Sequence, residues 1–286
     1  MLDAASSYGS KRLSLSEISA RFFLQLALGL IGCLLFVDRR SVGAGFTRLI
    51  SGCALLAVLP GIALSLSTSF QFSTLLAMVF ALLCLILLSS AGRSPAFELG
   101  LIVLTTGGGA LSVLLLLFRQ VPAPSAPVQG LFAAAGLNSA LNLGLVVGAM
   151  LLGHWYLVTP ELPVRHLGRM TRCALCSLYL KLALLGLTSA IFVDHFRAPM
   201  QAFATLLGLG DPGPGTGFQS QLDFIFLLAR ITIGLVGPAI LCHMTLAAVR
   251  LHATQPATGI LYATTVMVLM GEFLGFYAER SLSLVL

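Results

Sequence analysis

The chain has 286 residues, of which 58% are hydrophobic and only 9% charged, with a formal net charge of +6 and a mean hydropathy of +1.00. A soluble domain carries roughly 25% charged residues, so this chain has too little polar surface to coat a water-soluble globule. Its apolar runs reach the roughly 20 residues needed to cross a bilayer, which excludes a soluble enzyme, and no basic run interleaved with aromatics marks a nucleic-acid partner.

In chain order, residues 1–18 (MLDAASSYGSKRLSLSEI) are polar and lack the short apolar region and small-residue cleavage site of a secretory signal. The first span is therefore expected to be retained, within a single transmembrane domain covering 19–286. Eight spans are predicted, at about 19–37, 45–66, 71–90, 96–118, 131–157, 170–193, 222–248 and 258–280. The apolar stretches are continuous instead of alternating, which favours helices over barrel strands. The expected fold class is thus an all-α, polytopic membrane bundle.

Several features punctuate the spans. Pro60-Gly61 in the second and Gly237-Pro238 in the seventh predict kinks, because proline removes a backbone donor. Gly107-Gly108-Gly109 predicts an interruption of the fourth. Gly144/Gly148 and Gly271/Gly275 have the four-residue spacing that lets helix backbones approach closely. The fifth span ends in LLGHWYLVTPELPVRHLGRM, which holds the chain's only tryptophan, Trp155. There Trp155 and Tyr156 read as an interfacial aromatic belt, and Pro160 and Pro163 stop the helix. Between the sixth and seventh spans, Phe196 to Leu207 reads as a short interfacial helix followed by a Gly/Pro turn.

With eight spans both termini share one side, A. Side B collects Arg39, Arg40, Arg48, Arg93, Arg165, Arg169, Arg172 and Arg250, whereas side A collects Lys11, Arg12, Arg21, Arg119, Arg197 and Arg280. The excess makes side B the expected cytoplasmic face.

Ionisable groups inside spans are costly in hydrocarbon and by default mark function. At about 1.5 Å rise per residue, Arg230 in the seventh span and Glu272 in the eighth lie at matching depths, about 9 to 12 Å from side A. An Arg230–Glu272 ion pair is expected. Lys181, near the middle of the sixth span, has no evident partner. Asn138 and Asn142 share one face of the fifth span, and Asp223 lies on roughly the same face as Arg230. These residues predict a polar cavity among spans five to eight, with Asn138, Asn142 and Asp223 as substrate-binding candidates. The first three spans contribute almost no comparable groups. The competing reading is a structural one, in which Arg230 and Glu272 simply pair and the asparagines join helices.

Toward side B, Glu98 begins the fourth span, and His154 and His243 lie at similar depth on different spans. Two such histidines are candidate ligands of one b-type haem, with an interfacial histidine bonded to backbone or water as the plainer alternative. Cys173 and Cys176 form a C-x-x-C near Cys242-His243, a spacing compatible with thiol or metal chemistry, although isolated cysteines are ordinary apolar residues in spans. No metal centre is assigned. Phosphate-binding, zinc-protease and nucleophile-elbow motifs are absent from the sequence, so nucleotide-driven work needs a partner subunit.

The last span, LYATTVMVLMGEFLGFYAERS, contains Gly271-Glu272-Phe273-Leu274-Gly275. This Gly-Glu-x-x-Gly resembles the close of the membrane-anchor subunits of DMSO-reductase and polysulfide-reductase type complexes, the NrfD/DmsC group, which are similar in length and span number. The resemblance covers this motif and the gross architecture. Phe276 stands where members often carry arginine, and the N-terminal aromatic signature is missing. What it implies is a subunit, in a membrane such as the bacterial inner membrane, that exchanges electrons between quinol and an iron–sulfur partner and holds no haem of its own.

On this reading Glu272 accepts a proton from hydroquinone, Arg230 keeps the carboxylate ionised, and Lys181 or Asn142 bonds a quinone carbonyl. Two alternatives are a carrier or channel for a small anion held by Arg230 and Lys181, and a non-catalytic structural subunit. The absence of a detectable repeat counts against the carrier.

Overall fold

The computed structural model describes residues 14–66, 71–121, 125–156, 158–159, 161–209 and 217–282. Lys11, Arg12, Pro160 and the Gly/Pro turn at 210–216 lie outside them. The described residues are helical, with no strand among them. Eleven α-helices form among them: α1 (Leu15–Cys33), α2 (Arg39–Val42), α3 (Ala44–Leu66), α4 (Gln71–Ser90), α5 (Pro95–Gln120), α6 (Ala126–Trp155), α7 (Arg165–Ile191), α8 (Val193–Leu206), α9 (Phe218–Ile231), α10 (Gly237–Arg250) and α11 (Thr254–Leu282).

Among the described residues, eight helical segments are long and apolar enough to cross a membrane. They are α1 with its following turn, α3, α4, α5, α6, α7, the continuous α9–α10 unit and α11. The chain is an integral, polytopic membrane protein, and Leu56, Leu75, Leu82 and Leu104 are exposed on its outer surface.

Local signals set several helix ends. Ser14 and Glu17 form a reciprocal capping box that starts α1 four residues before the expected span. Ser94 accepts the Phe97 N–H and Pro95 occupies the first turn of α5, where the missing proline donor costs nothing. The interruption expected at Gly107–Gly109 does not occur. α5 is continuous there, and Gly109 instead makes room for Phe80 of α4, whose ring a Cβ would approach to 2.8 Å.

α1 and α6 are the centre of the bundle. α1 packs against α3, α5 and α6, while α6 also packs against α7 and α11. Gly29 and Gly144 make the α1–α6 crossing possible: a Cβ on either would overlap the other helix's backbone. Gly148, one turn on, leaves space for Cys33 and Met170. The expected close approach at Gly144/Gly148 is thus a property of the fold.

The seventh crossing is interrupted. Thr232–Val236 winds as a π-helical turn between α9 and α10, immediately before Gly237-Pro238. The expected kink residues therefore sit where the helical hydrogen-bond ladder changes register. α8 forms where an interfacial helix is expected. It turns Phe196 and Ala202 inward, leaves Val193 and Met200 exposed, and stacks Phe203 on Phe224 of α9 with ring centroids 4.1 Å apart.

Candidate functional site

Three of the expected residues meet in the membrane interior. Glu272 of α11 receives Lys181 of α7 on its Oε1, and Arg230 of α9 on its Oε2 at 3.7 Å. All three are buried, with 2%, 1% and 3% of the surface of Lys181, Arg230 and Glu272 exposed. The depth match between Arg230 and Glu272 is realised as an ion pair. Lys181 is not partnerless: it is Glu272's nearer cation.

The glycines of the last span explain how a guanidinium fits beside α11. A Cβ on Gly275 would lie 2.9 Å from Arg230 Nε and 3.1 Å from its Cζ, and one on Gly271 would lie 3.2 Å from its Nη1. Gly234, in the π turn, faces Gly271 so closely that a Cβ there would lie 2.7 Å from the Gly271 Cα. Gly271 and Gly275 therefore do two things. They bring the seventh crossing against the eighth, and they lay the Arg230 side chain across the helix that carries its carboxylate partner.

Two charged residues enter this region that the sequence reading left outside it. Arg21 of α1 is assigned from sequence to the side-A rim, yet it is completely buried and paired with Glu279 of α11. Its guanidinium also lies over the Phe276 ring, 4.7 Å from the centroid. Arg21 precedes a strongly apolar run, so hydropathy alone marks it as a flank. The available signal was its match in depth to Glu279 at the same end of the last span.

The buried charged set of this region, among the described residues, is thus Arg21, Lys181, Arg230, Glu272 and Glu279, drawn from α1, α7, α9 and α11. The expected confinement to spans five to eight is corrected: the first span supplies one of the three cations.

The substrate-binding candidates are distributed differently. Asn138 is tied to α7, donating to the Ser177 carbonyl at 3.0 Å and accepting from the Ser177 hydroxyl at 3.0 Å, so it joins helices. Asn142 is fully buried, and neither amide atom has a hydrogen-bond partner among the described residues. Asp223 is half-buried on α9 and accepts from Gln219 at 3.2 Å. Gln219 also donates to the Tyr277 hydroxyl at 3.2 Å. These contacts place Asp223 in a polar rim near the α9 start.

The histidines lie apart from this network, on exposed surface. His243 shares a 2.7 Å hydrogen bond with Tyr179 of α7, and His154 one of 3.5 Å with Tyr262 of α11. Each thus has its own tyrosine, and no contact between the two histidines is present among the described residues. Glu98 is buried and accepts from the Thr47 hydroxyl at 2.8 Å. Cys173 is half-buried, Cys176 exposed and Cys242 buried, so the C-x-x-C lies at the edge of the bundle.

The aromatic pair at 155–156 points inward and does not form an outward belt. Trp155 packs on Phe46, with ring centroids 6.2 Å apart, and against Gly45. Tyr156 is buried and donates to the Pro163 carbonyl at 2.7 Å. Burial pushes its phenol up to about 12, so it remains a donor at any physiological pH and pins the loop leading into α7. No protein-family model matches the chain, and no curated protein or solved structure matches it either.

Proposed function

We propose that the protein is the membrane subunit of a quinol-linked redox complex, resident in a cell membrane of the bacterial inner-membrane type, and that its Lys181–Glu272–Arg230 cluster handles a proton. The observation that carries this reading is a buried carboxylate, Glu272, held between a lysine and an arginine from two other crossings. Isolated charges are very costly in hydrocarbon and persist only when paired.

Lys181 is the cation of the cluster that can pass a proton on, because an amine can do so where a guanidinium cannot, and Glu272 still faces Arg230 when it does. Glu272 holds that proton's site in place, with one oxygen on Lys181 and the other on Arg230. A proton released by hydroquinone oxidation enters the pair by the Glu272 carboxylate and resides on the Lys181 amine. The three side chains close on one another, so a quinol ring does not fit between them. Its oxidation belongs at the edge of the cluster or at the boundary with an iron–sulfur partner subunit.

Purification in mild detergent, identification of co-purifying chains and an absorption spectrum test the redox setting. In the isolated complex, Glu272→Gln is expected to lower turnover with a quinol analogue by about a hundredfold or more, with Glu272→Asp retaining part of it. Unchanged turnover in Glu272→Gln removes the cluster from the mechanism.

One observation favours a second reading, a carrier for a small anion. The π turn at Thr232–Val236 with Gly237-Pro238 interrupts a crossing directly after Arg230, and interrupted helices at ion-binding residues are a feature of alternating-access carriers. If the chain purifies alone, colourless, and moves a solute across liposomes, this reading replaces the redox one.

A further inference from the structure

The start of α7 on side B carries a local conflict in the sequence. Its cap residue, Val164, has no side chain that can accept a hydrogen bond, and its first turn has no acidic residue. The first N–H groups of a helix have no intrahelical acceptor, and the positive end of the dipole disfavours cations. Yet Arg165 stands in that turn, and Arg169 and Arg172 follow at spacings of four and three on the same face.

With His166 and Asp38, these arginines line a pocket of about 320 Å³ at the side-B end of the bundle. The three arginines are exposed. His166 is 5% exposed, and its Nε2 has no hydrogen-bond partner among the described residues. Asp38 is engaged locally, accepting from the Ser41 hydroxyl at 2.6 Å and the Arg40 N–H at 3.2 Å. Three guanidiniums against one carboxylate leave two surplus positive charges, beside a helix N-terminus and an imidazole with a free nitrogen.

We propose that this pocket binds the phosphate of an anionic phospholipid headgroup in the side-B leaflet. A phosphate supplies the missing acceptors. Its oxygens take bidentate bonds from the arginines and a hydrogen bond from the unpartnered His166 Nε2, in the field of the α7 N-terminus. The start of α7 is tied down at Pro163, whose carbonyl accepts from the Tyr156 hydroxyl and from the His166 N–H at 3.3 Å.

The source of the phosphate follows from depth. Arg172 lies seven residues along the crossing from Arg165, about 10 Å deeper, so the row descends from the surface toward the acyl boundary. Inorganic phosphate can enter the same pocket, but only a lipid phosphate is held at that depth by its acyl chains. A lipid phosphate sits along the row, and basic pockets at the ends of membrane helices hold such headgroups.

The test uses the full chain, delipidated in non-ionic detergent. Thermal stability and native mass spectrometry are recorded with phosphatidylglycerol, with phosphatidylcholine, and with inorganic phosphate alone. Phosphatidylglycerol is expected to stabilise the protein and remain bound at low salt, with phosphatidylcholine much weaker.

Each arginine replaced by glutamine is expected to weaken phosphatidylglycerol binding about five-fold, whereas Arg197→Gln on side A leaves it unchanged. Asp38→Asn keeps a capping side chain and tightens binding, which guards against misreading a variant that folds poorly. Equal binding by wild type, Arg169→Gln and Asp38→Asn overturns the site. Stabilisation by inorganic phosphate that phosphatidylglycerol neither adds to nor competes with overturns the lipid as its source.

Discussion

Glu272 has two carboxylate oxygens, and each faces a cation from a different crossing. That arrangement ties α7, α9 and α11 together through one side chain. The Arg21–Glu279 pair does the same for α1 and α11. Removing one member of a buried pair leaves an uncompensated charge, whereas replacing both by apolar residues of similar volume is often neutral or stabilising. Arg21→Met is therefore expected to destabilise the bundle by about 3–5 kcal/mol, and Arg21→Met with Glu279→Met by far less, as read by thermal unfolding in detergent. At Lys181 and Glu272 the same double replacement also takes the Glu272 carboxylate from Arg230, so it is expected to destabilise the bundle more than the Arg21–Glu279 double replacement does, as read by the same unfolding measurement.

At the scale of the element, glycine positions decide which helices touch and what lies between them. The pattern at 271 and 275 signals close approach in the sequence, but it does not say that half of the space is for an arginine side chain. Gly275→Ala places a methyl group 2.9 Å from Arg230 Nε, and the guanidinium has to shift from Glu272. An overpacked site of this kind costs about 1–3 kcal/mol, and loss of turnover beyond that expected from stability is the outcome that links the glycine to the cluster. By contrast, Gly107 has open space around it, and Gly107→Ala is expected to change little. A run of three glycines in α5 does not break the helix because, in hydrocarbon, every backbone group must bond within the segment.

Across the whole molecule, the side-B arginines and the buried Arg21 bear on orientation. With Arg21 withdrawn into the interior, the described side-A cations are Arg119, Arg197 and Arg280, against eight arginines on side B. By the positive-inside rule, side B is then expected to face the cytoplasm. The substitutions Arg93→Cys and Arg197→Cys, made singly in a background without the native thiols, are expected to react with an impermeant reagent from opposite sides of the membrane. In intact cells only the thiol introduced at position 197 is accessible from outside. The reverse pattern inverts the assignment and moves the proposed lipid site to the outer leaflet.

Composition and hydropathy were sufficient by themselves for the class of this protein and the number of its crossings. A bilayer imposes one length and one polarity on every segment, so a run of apolar residues has a single stable outcome. Depth counting along ideal helices was sufficient for the Arg230–Glu272 pair, because rise per residue converts sequence position into height. It carried no information on azimuth, or on which helices are neighbours. Those were decided by tertiary packing: the Gly29–Gly144 crossing puts α1 at the centre, brings Arg21 to Glu279, and leaves Lys181 facing Glu272. The same packing gave His154 and His243 separate tyrosines and set Trp155 against Phe46. Height is a local property of the chain in a membrane, whereas partnership between buried charges depends on which side chains small residues allow to meet.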